Sequence, residues 1–262
     1  MVLAAILAAA PAAWGRWNEG DPAKWVQMPD TISLTGVTVK ATRPKVLADD
    51  FACFEMGPIT GIHVWGSWKD DAAADPANVT FRLGIHDDDP VGSGGDDPGN
   101  QYSKPGQERW SAEFTGSEFH ESIWIESVAP WYDPNVPEWI EPNAMWVYQY
   151  NFAIDATAAF VQEGSPGAMK IYWLSVSVTV TGNDEDKEFG WRNTDEPWND
   201  VAVYGHVDAA GDPQGDWSML WTPGGGDTAA TPLQLAFVIA PEPATLALVG
   251  MGLAGLALRR RK

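Results

Sequence analysis

Alternation of apolar and polar positions is the feature of this sequence that most constrains its fold. Apolar side chains recur at every second position over residues 79–85, 172–180 and 233–239. A two-residue period places one set of side chains on each face of an extended strand. The pattern therefore predicts a β-strand, with one face turned toward a core, in each of these segments.

Weaker β patterns lie between these three segments, and clusters of Gly, Pro, Asp and Asn separate them. The weaker segments are 46–54, 59–68, 110–114, 119–125, 144–152, 189–192 and 200–204. About ten short strands with turn residues between them are typical of a two-sheet antiparallel β-sandwich or jelly roll. We predict an all-β protein with one jelly-roll-like sandwich domain over residues 17–240 and an apolar helix near each terminus.

Composition gives this body enough material for a large core in spite of its acidity. The 262-residue chain is 45% hydrophobic and contains 15 Trp. Residues 241–262 carry four of the 16 basic and one of the 36 acidic residues, which leaves a formal charge of −23 on residues 1–240. Such a surface repels nucleic acid and anionic lipid and suits a matrix bridged by divalent cations. We therefore expect a globular body without a nucleic-acid partner.

The C-terminal residues 241–262 form a tail with three parts. Pro241, Glu242 and Pro243 come first, an apolar run follows over residues 244–258, and four cations come last. The cations are Arg259, Arg260, Arg261 and Lys262. As a helix, residues 245–258 span about 21 Å, less than the roughly 30 Å hydrocarbon core of a membrane. Because cations beside an apolar helix stay on the cytoplasmic side, the body is predicted to be exported and held briefly by a short transmembrane helix.

This order of elements resembles the PEP-CTERM sorting signal of Gram-negative bacteria. The resemblance implies recognition by an exosortase, a membrane enzyme of transpeptidase type, with processing near Pro241-Glu242-Pro243. It also implies passage through the general secretion machinery and transient residence in the inner membrane. The expected destination is the cell surface or the extracellular matrix.

An export signal is also expected near the N-terminus. Residues 2–13 are apolar without interruption, and Ala10-Pro11-Ala12 has the small residues of a cleavage site. No Lys or Arg precedes Arg16, so the basic region typical of a secretory signal is missing. We interpret residues 1–13 as a signal-peptide-like segment.

Sequence patterns for catalysis are weak. The G-x-S-x-G and H-E-x-x-H motifs and the P-loop are absent from the sequence. Cys53 lies beside Phe54 with no basic residue next to it, which favours a small buried side chain over a nucleophile. A glycosidase needs two carboxylates about 5–10 Å apart, and the sequence singles out no such pair. We predict that the protein is not an enzyme; a secreted glycosidase is the least favoured alternative.

Three polar segments are predicted to be long loops, which is where binding residues usually lie on a rigid sandwich. They are residues 86–106, 126–143 and 181–199. The first contains Asp87, Asp89 and Asp97 among glycines. Carboxylates and backbone carbonyls can together supply the about six to eight oxygens that Ca²⁺ takes. A calcium site is one hypothesis for this segment, and a solvated acidic loop is the other.

Aromatic residues in or beside these loops raise a second binding hypothesis. They are Trp131, Tyr132, Trp139, Trp191 and Trp198. Exposed aromatic rings can stack on the apolar faces of sugars, which makes an extracellular polysaccharide a candidate partner. Trp side chains also pack in the core of large β proteins, where each indole N–H finds a local hydrogen-bond partner. The sequence leaves both interpretations open.

Several short phrases of the body carry a second resemblance. They are Leu47-Ala48-Asp49-Asp50-Phe51, Gly57-Pro58-Ile59-Thr60, His63-Val64-Trp65-Gly66-Ser67-Trp68, Phe189-Gly190-Trp191 and Trp198-Asn199-Asp200. Together they resemble an uncharacterised domain of surface proteins in planctomycete-type bacteria, a resemblance that brings no known activity. We predict a non-enzymatic protein of the cell surface or extracellular matrix with a structural or interaction role. A carbohydrate-binding module at the cell surface is the alternative.

Overall fold

The computed structural model describes residues 15–32, 35–92, 101–136, 138–223 and 230–241. Within these ranges the chain consists mainly of β-strands joined by turns and short 3₁₀ helices. The predicted all-β class is therefore confirmed. The two predicted terminal helices, in residues 1–13 and 244–258, lie outside the described residues.

The strands of the described residues are numbered in chain order. They are β1 (Trp25–Gln27), β2 (Thr38–Lys40), β3 (Lys45–Cys53), β4 (Gly57–Pro58), β5 (Gly61–Trp68), β6 (Val79–Asp89), β7 (Lys104–Thr115), β8 (Phe119–Asp133), β9 (Glu138–Ala153), β10 (Val161–Gln162), β11 (Lys170–Val180), β12 (Phe189–Thr194), β13 (Val203–His206), β14 (Ser218–Met219), β15 (Gln234–Leu235) and β16 (Phe237–Ala240). The 3₁₀ helices are Lys69–Asp71, Pro76–Asn78, Gly116–Glu118 and Gly182–Asp184.

Two large sheets form the layers of a sandwich, as predicted. One has the strand order β1-β16-β5-β9-β8-β2-β12-β15, and the other has the order β14-β13-β3-β11-β6-β7. The pairing of β2 with β8 is parallel, and the other pairings between these strands are antiparallel. Because β12 pairs with β5 as well as with β2, five strands of the larger sheet close into a ring. Strands β4 and β10 form a separate two-stranded sheet.

The core between the two sheets is rich in aromatic rings. The ring centroid of Phe81 on β6 lies 4.9 Å from that of Tyr150 and 5.2 Å from that of Phe152, both on β9 of the opposite sheet. The first pair is tilted and the second is edge-to-face, and such aromatic contacts add to the free energy gained by removing apolar surface from water. Cys53 is buried beside this cluster, and burial raises the pKa of its thiol to about 12. The prediction of a small buried side chain at this position is confirmed.

The predicted loop over residues 126–143 is wrong. This segment is a hairpin in which β8 continues to Asp133 and β9 begins at Glu138. Cross-strand pairs such as Tyr132 with Trp139 stabilise it, since aromatic residues favour strands. The segment also contains prolines, and two shifts of strand register lie near Pro130. Because proline is rare inside strands, the composition of this segment suggests a loop. A sheet nevertheless tolerates proline at irregularities of this kind.

Candidate functional site

An open cleft of about 560 Å³ lies where Trp139 faces the β12–β15 edge of the larger sheet. Its walls combine one aromatic ring with hydroxyl and carboxylate groups. The polar and aromatic side chains of the lining include Trp139, Asp30, Thr35, Asp195, Thr222 and Thr231. Among the described lining residues two are acidic and none is Lys or Arg. The cleft therefore offers an apolar surface together with hydrogen-bond acceptors and uncharged hydroxyls.

Trp139 is the exposed aromatic residue of this cleft. It pairs across the hairpin with Tyr132, and the two ring centroids are 5.9 Å apart. Its indole Nε1 donates a hydrogen bond to Oε2 of Glu141 at 3.2 Å. Tyr132 is 6% exposed, whereas Trp139 is 38% exposed. The indole is thus fixed by a buried neighbour and a hydrogen bond while much of its surface stays open to a ligand.

Asp30 supplies a buried acceptor in the cleft wall. Its side chain is 2% exposed, and Oδ1 accepts a hydrogen bond from the backbone N of Ile32 at 2.8 Å. Its Oδ2 has no hydrogen-bond partner in the part of the chain that the structure describes. The buried Arg192 holds the segment in place because its Nε donates to the carbonyl oxygen of Asp30 at 2.7 Å. A buried oxygen without a partner is costly. Because Oδ2 has almost no exposed surface, a ligand in the cleft does not reach it.

The other residues of the glycan hypothesis lie elsewhere. Trp131 and Trp191 are fully buried, so their predicted role in stacking on a sugar is corrected: both fill the core. Two contacts account for the burial of these rings. The Trp131 ring fits against the bare Cα of Gly190. Nε1 of Trp191 donates a hydrogen bond to the carbonyl oxygen of Ala236 at 2.7 Å. Trp198 is half-buried against Trp25 at the margin of the cleft, next to the lining residue Pro197.

A buried histidine and a buried serine are in contact between β6 and β11, and no sequence motif predicts this contact. Nε2 of His86 on β6 lies 2.8 Å from Oγ of Ser175 on β11, and 3.9 Å from a carboxylate oxygen of Glu108. Burial lowers the pKa of His86 to about 4, so the imidazole is neutral at pH 7. His86 and Glu108 line a second cavity of about 340 Å³, but Ser175 is 1% exposed and does not line it. A substrate in that cavity would not reach the hydroxyl, so the contact serves packing between strands.

The chain matches two known protein-family profiles. The profile of the Domain of unknown function (DUF7901) matches residues 23–240, most of the chain. The chain belongs to the DUF7901 family. A second profile, the PEP-CTERM protein-sorting motif, matches residues 240–262, which confirms the resemblance found in the tail. No curated protein and no solved structure matches the chain.

The sorting motif of this DUF7901 protein lies largely outside the described residues. Pro241 is described and follows β16 directly, whereas Glu242, Pro243 and the cations Arg259–Lys262 are not described. The motif implies that the protein is exported to the cell envelope or surface and processed by an exosortase. In the described ranges no helix is long and apolar enough to cross a membrane.

Of the three acidic residues in the calcium hypothesis, Asp97 lies outside the described residues. Asp87 and Asp89 are on β6, and the Asp87 carboxylate is 3.5 Å from Arg109 and 3.7 Å from Lys170. These cations compete with a metal for the oxygens of Asp87. Within residues 15–241, the undescribed gaps apart, no three His, Cys, Asp or Glu side chains are arranged to hold a metal ion. Calcium binding here stays a prediction.

Two buried carboxylates on β3 are a further feature of the DUF7901 fold. Asp49 faces the core, where Oδ2 accepts a hydrogen bond from the backbone N of Leu235 on the opposite sheet at 2.6 Å. Asp50 lies on the other face of β3, opposite Trp173 on the neighbouring strand β11, and its Oδ2 accepts a hydrogen bond from Nδ2 of Asn199 at 2.6 Å. Burial raises the pKa of Asp50 to about 8 and raises that of Asp49 well above its ordinary value. In the sequence these two adjacent acids lie between apolar residues, and that pattern could have pointed to buried carboxylates.

Proposed function

We propose that this protein is a non-enzymatic component of the cell surface or extracellular matrix, and that it engages an extracellular polysaccharide in the cleft beside Trp139. Export and exosortase processing follow from the sorting motif. The structural or interaction role and the polysaccharide ligand are the new parts of the proposal. The observation that carries them is an exposed indole held in position over a cleft of carboxylate and hydroxyl groups.

The chemistry of the cleft supports a glycan ligand. An indole face can cover the apolar C–H surface of a sugar ring, while the exposed Asp195 and the threonines can hydrogen-bond to its hydroxyls. The volume lies within the range of small-ligand sites, which is about 300–1,000 Å³. Because the described lining contains two carboxylates and neither Lys nor Arg, it favours a neutral polysaccharide over one rich in uronic acid or sulfate.

Binding is better supported than hydrolysis. A glycosidase places two carboxyl groups on either side of the bond that it cleaves. In this cleft Asp30 is 2% exposed, whereas Asp195 lies at the exposed rim. The described lining therefore offers one reachable carboxylate, while hydrolysis needs two.

The test is binding of the full chain to a panel of neutral and acidic polysaccharides, in a detergent without a sugar headgroup. We expect a neutral polysaccharide to bind, and Trp139→Ala to weaken that binding at least about thirtyfold, as loss of a central aromatic contact does. Trp146→Ala is the matched control, because Trp146 is half-buried on the same strand and does not line the cleft. A panel without any ligand, or equal effects of the two variants, would refute the proposal.

A further inference from the structure

Four large apolar side chains are exposed together at one end of the sandwich. They are Phe54 (46% exposed), Met56 (72%), Val161 (54%) and Met169 (49%). We call these four residues the end patch. Strand pairing brings them together, because Val161 pairs with Pro58 two residues after Met56, and Lys170 after Met169 pairs with Cys53 before Phe54.

The chain leaves the domain at this same end. Ala240, the last residue of β16, pairs with Gly61, and its carbonyl oxygen accepts a hydrogen bond from the Thr60 N at 3.2 Å. Thr60 is two residues from Pro58, the partner of Val161. Pro241 therefore emerges within roughly 17 Å of Val161, since two extended residues span about 7 Å and each of the two strand pairings adds about 5 Å.

The tail restricts how far this end can move from a membrane. Only Glu242 and Pro243 separate Pro241 from the apolar run that begins at Ala244. A link of this length spans at most about 10 Å. When the apolar run is in the bilayer, the end of the sandwich that carries the patch must lie next to the lipid headgroups.

Charge also makes this end suitable for contact with lipid. The body as a whole is strongly acidic and is repelled by anionic lipid. Around the end patch, however, Lys24 pairs with Glu55 at 3.5 Å and Lys170 pairs with Glu163 at 3.0 Å. Each ion pair is neutral as a unit, so Glu55 and Glu163 add no net charge beside the apolar residues.

We infer that the end patch is a membrane-contact surface, which rests on the phospholipid headgroup region while the tail anchors the unprocessed protein. Phe and Met side chains at such a depth lose water-exposed apolar surface, and this gain holds the domain in one orientation. The inference rests on the export and anchoring part of the proposed function and does not depend on a glycan ligand. After removal of the tail the contact is too small to retain the domain, so cleavage releases it.

The test is a depth measurement on the full chain reconstituted in vesicles of phosphatidylethanolamine and phosphatidylglycerol. Met56→Cys carries an environment-sensitive fluorophore, and the native Cys53 does not compete for the label because it is buried. Val136→Cys is the matched control: Val136 is 67% exposed and lies near His206, which pairs with Lys45 at the opposite end of β3. Lipids with a quencher near the headgroup should quench the probe at position 56 and leave the probe at 136 unaffected.

The outcomes separate this inference from the proposal on which it rests. If the chain floats with the vesicles but both probes stay in water, the anchor stands and the membrane-contact surface is refuted. If the chain does not float with vesicles, anchoring and the contact surface fail together. If quenching at position 56 depends on protein density in the vesicles, two copies cover the patch and the inference is wrong. Replacing Met56 and Val161 by Glu should abolish quenching of a probe at Met169→Cys, while Val136→Glu should not.

Discussion

Replacing Asp50 by Asn should remove a part of the pH dependence of folding that the structure assigns to one carboxyl group. Asp50 has no exposed surface, and burial raises its pKa from 3.8 to about 8. A carboxyl group that holds its proton more tightly in the folded state stabilises that state at low pH. Its contribution is complete below pH 3.8 and is lost as the pH rises through about 8.

The contribution of Asp50 to the free energy of unfolding is best measured above pH 6.5. Burial lowers the pKa of His63 and of His86 from 6.5 to about 4, and these residues therefore destabilise the folded state only as the pH falls below about 6.5. From about pH 6.5 to about pH 8.5 the folded Asp50 loses its proton while the unfolded one is already ionised. At about 1.4 kcal/mol per pH unit, and allowing for partial titration near pH 8, the contribution of Asp50 to the free energy of unfolding should fall by about 2 kcal/mol. The raised pKa of the buried Asp49 adds a fall of the same sign in the wild type.

Urea unfolding followed by Trp fluorescence at several pH values in this range measures the effect. Asp50→Asn keeps an oxygen that can accept from Asn199, yet it cannot ionise, so its stability relative to the wild type should rise by about 2 kcal/mol across the range. Asp186→Asn removes the same formal charge from an exposed turn and controls for net charge. Wild-type stability that is flat from pH 6.5 to 8.5, or an Asp50→Asn slope as steep as that of the wild type, would show the reasoning to be wrong.

Two further predictions concern stability at neutral pH. Asp133→Ala should lower the free energy of unfolding by about 3–5 kcal/mol, because it leaves the ammonium group of Lys45 buried without its partner. The double variant Lys45→Met/Asp133→Leu should recover most of that loss in the same urea assay; a double variant as unstable as the single one would contradict a charge-based explanation. Gly190→Ala should cost about 1–3 kcal/mol, since an added Cβ would lie 2.7 Å from the Trp131 ring. Gly167→Ala, where nothing lies within 4 Å, should change little, and equal melting temperatures of the two glycine variants would oppose this account.

Of the three segments with a regular two-residue period, two are single strands, whereas residues 233–239 are divided between β15 and β16, which pair with different strands. Residues 79–85 and 172–180 lie in β6 and β11, which pair with each other over their length. Pairing partners could not be derived in this way, because periodicity gives the face of a side chain and not its neighbour on the next strand. The contact of His86 with Ser175 depends on such a pairing, so no motif announces it.

The sequence also does not show which of its aromatic side chains are buried and which are exposed. Trp131 and Trp139 are both on the β8–β9 hairpin, yet one is fully buried and the other is 38% exposed. The difference depends on Gly190 of a remote strand, which leaves room for the Trp131 ring. Asp30 lies more than a hundred residues from Trp139, and only the folded chain brings both to one cleft. A binding site assembled from such distant segments leaves no local pattern.

The position of β16 in the larger sheet determines when that sheet can be completed during synthesis. This strand lies between β1 and β5, so β1 has no neighbour in the larger sheet until residues 237–240 are available. Contacts between residues so far apart in sequence form late and slowly. Because the closing strand directly precedes the sorting tail, the larger sheet is completed only after residues 237–240 have been synthesised.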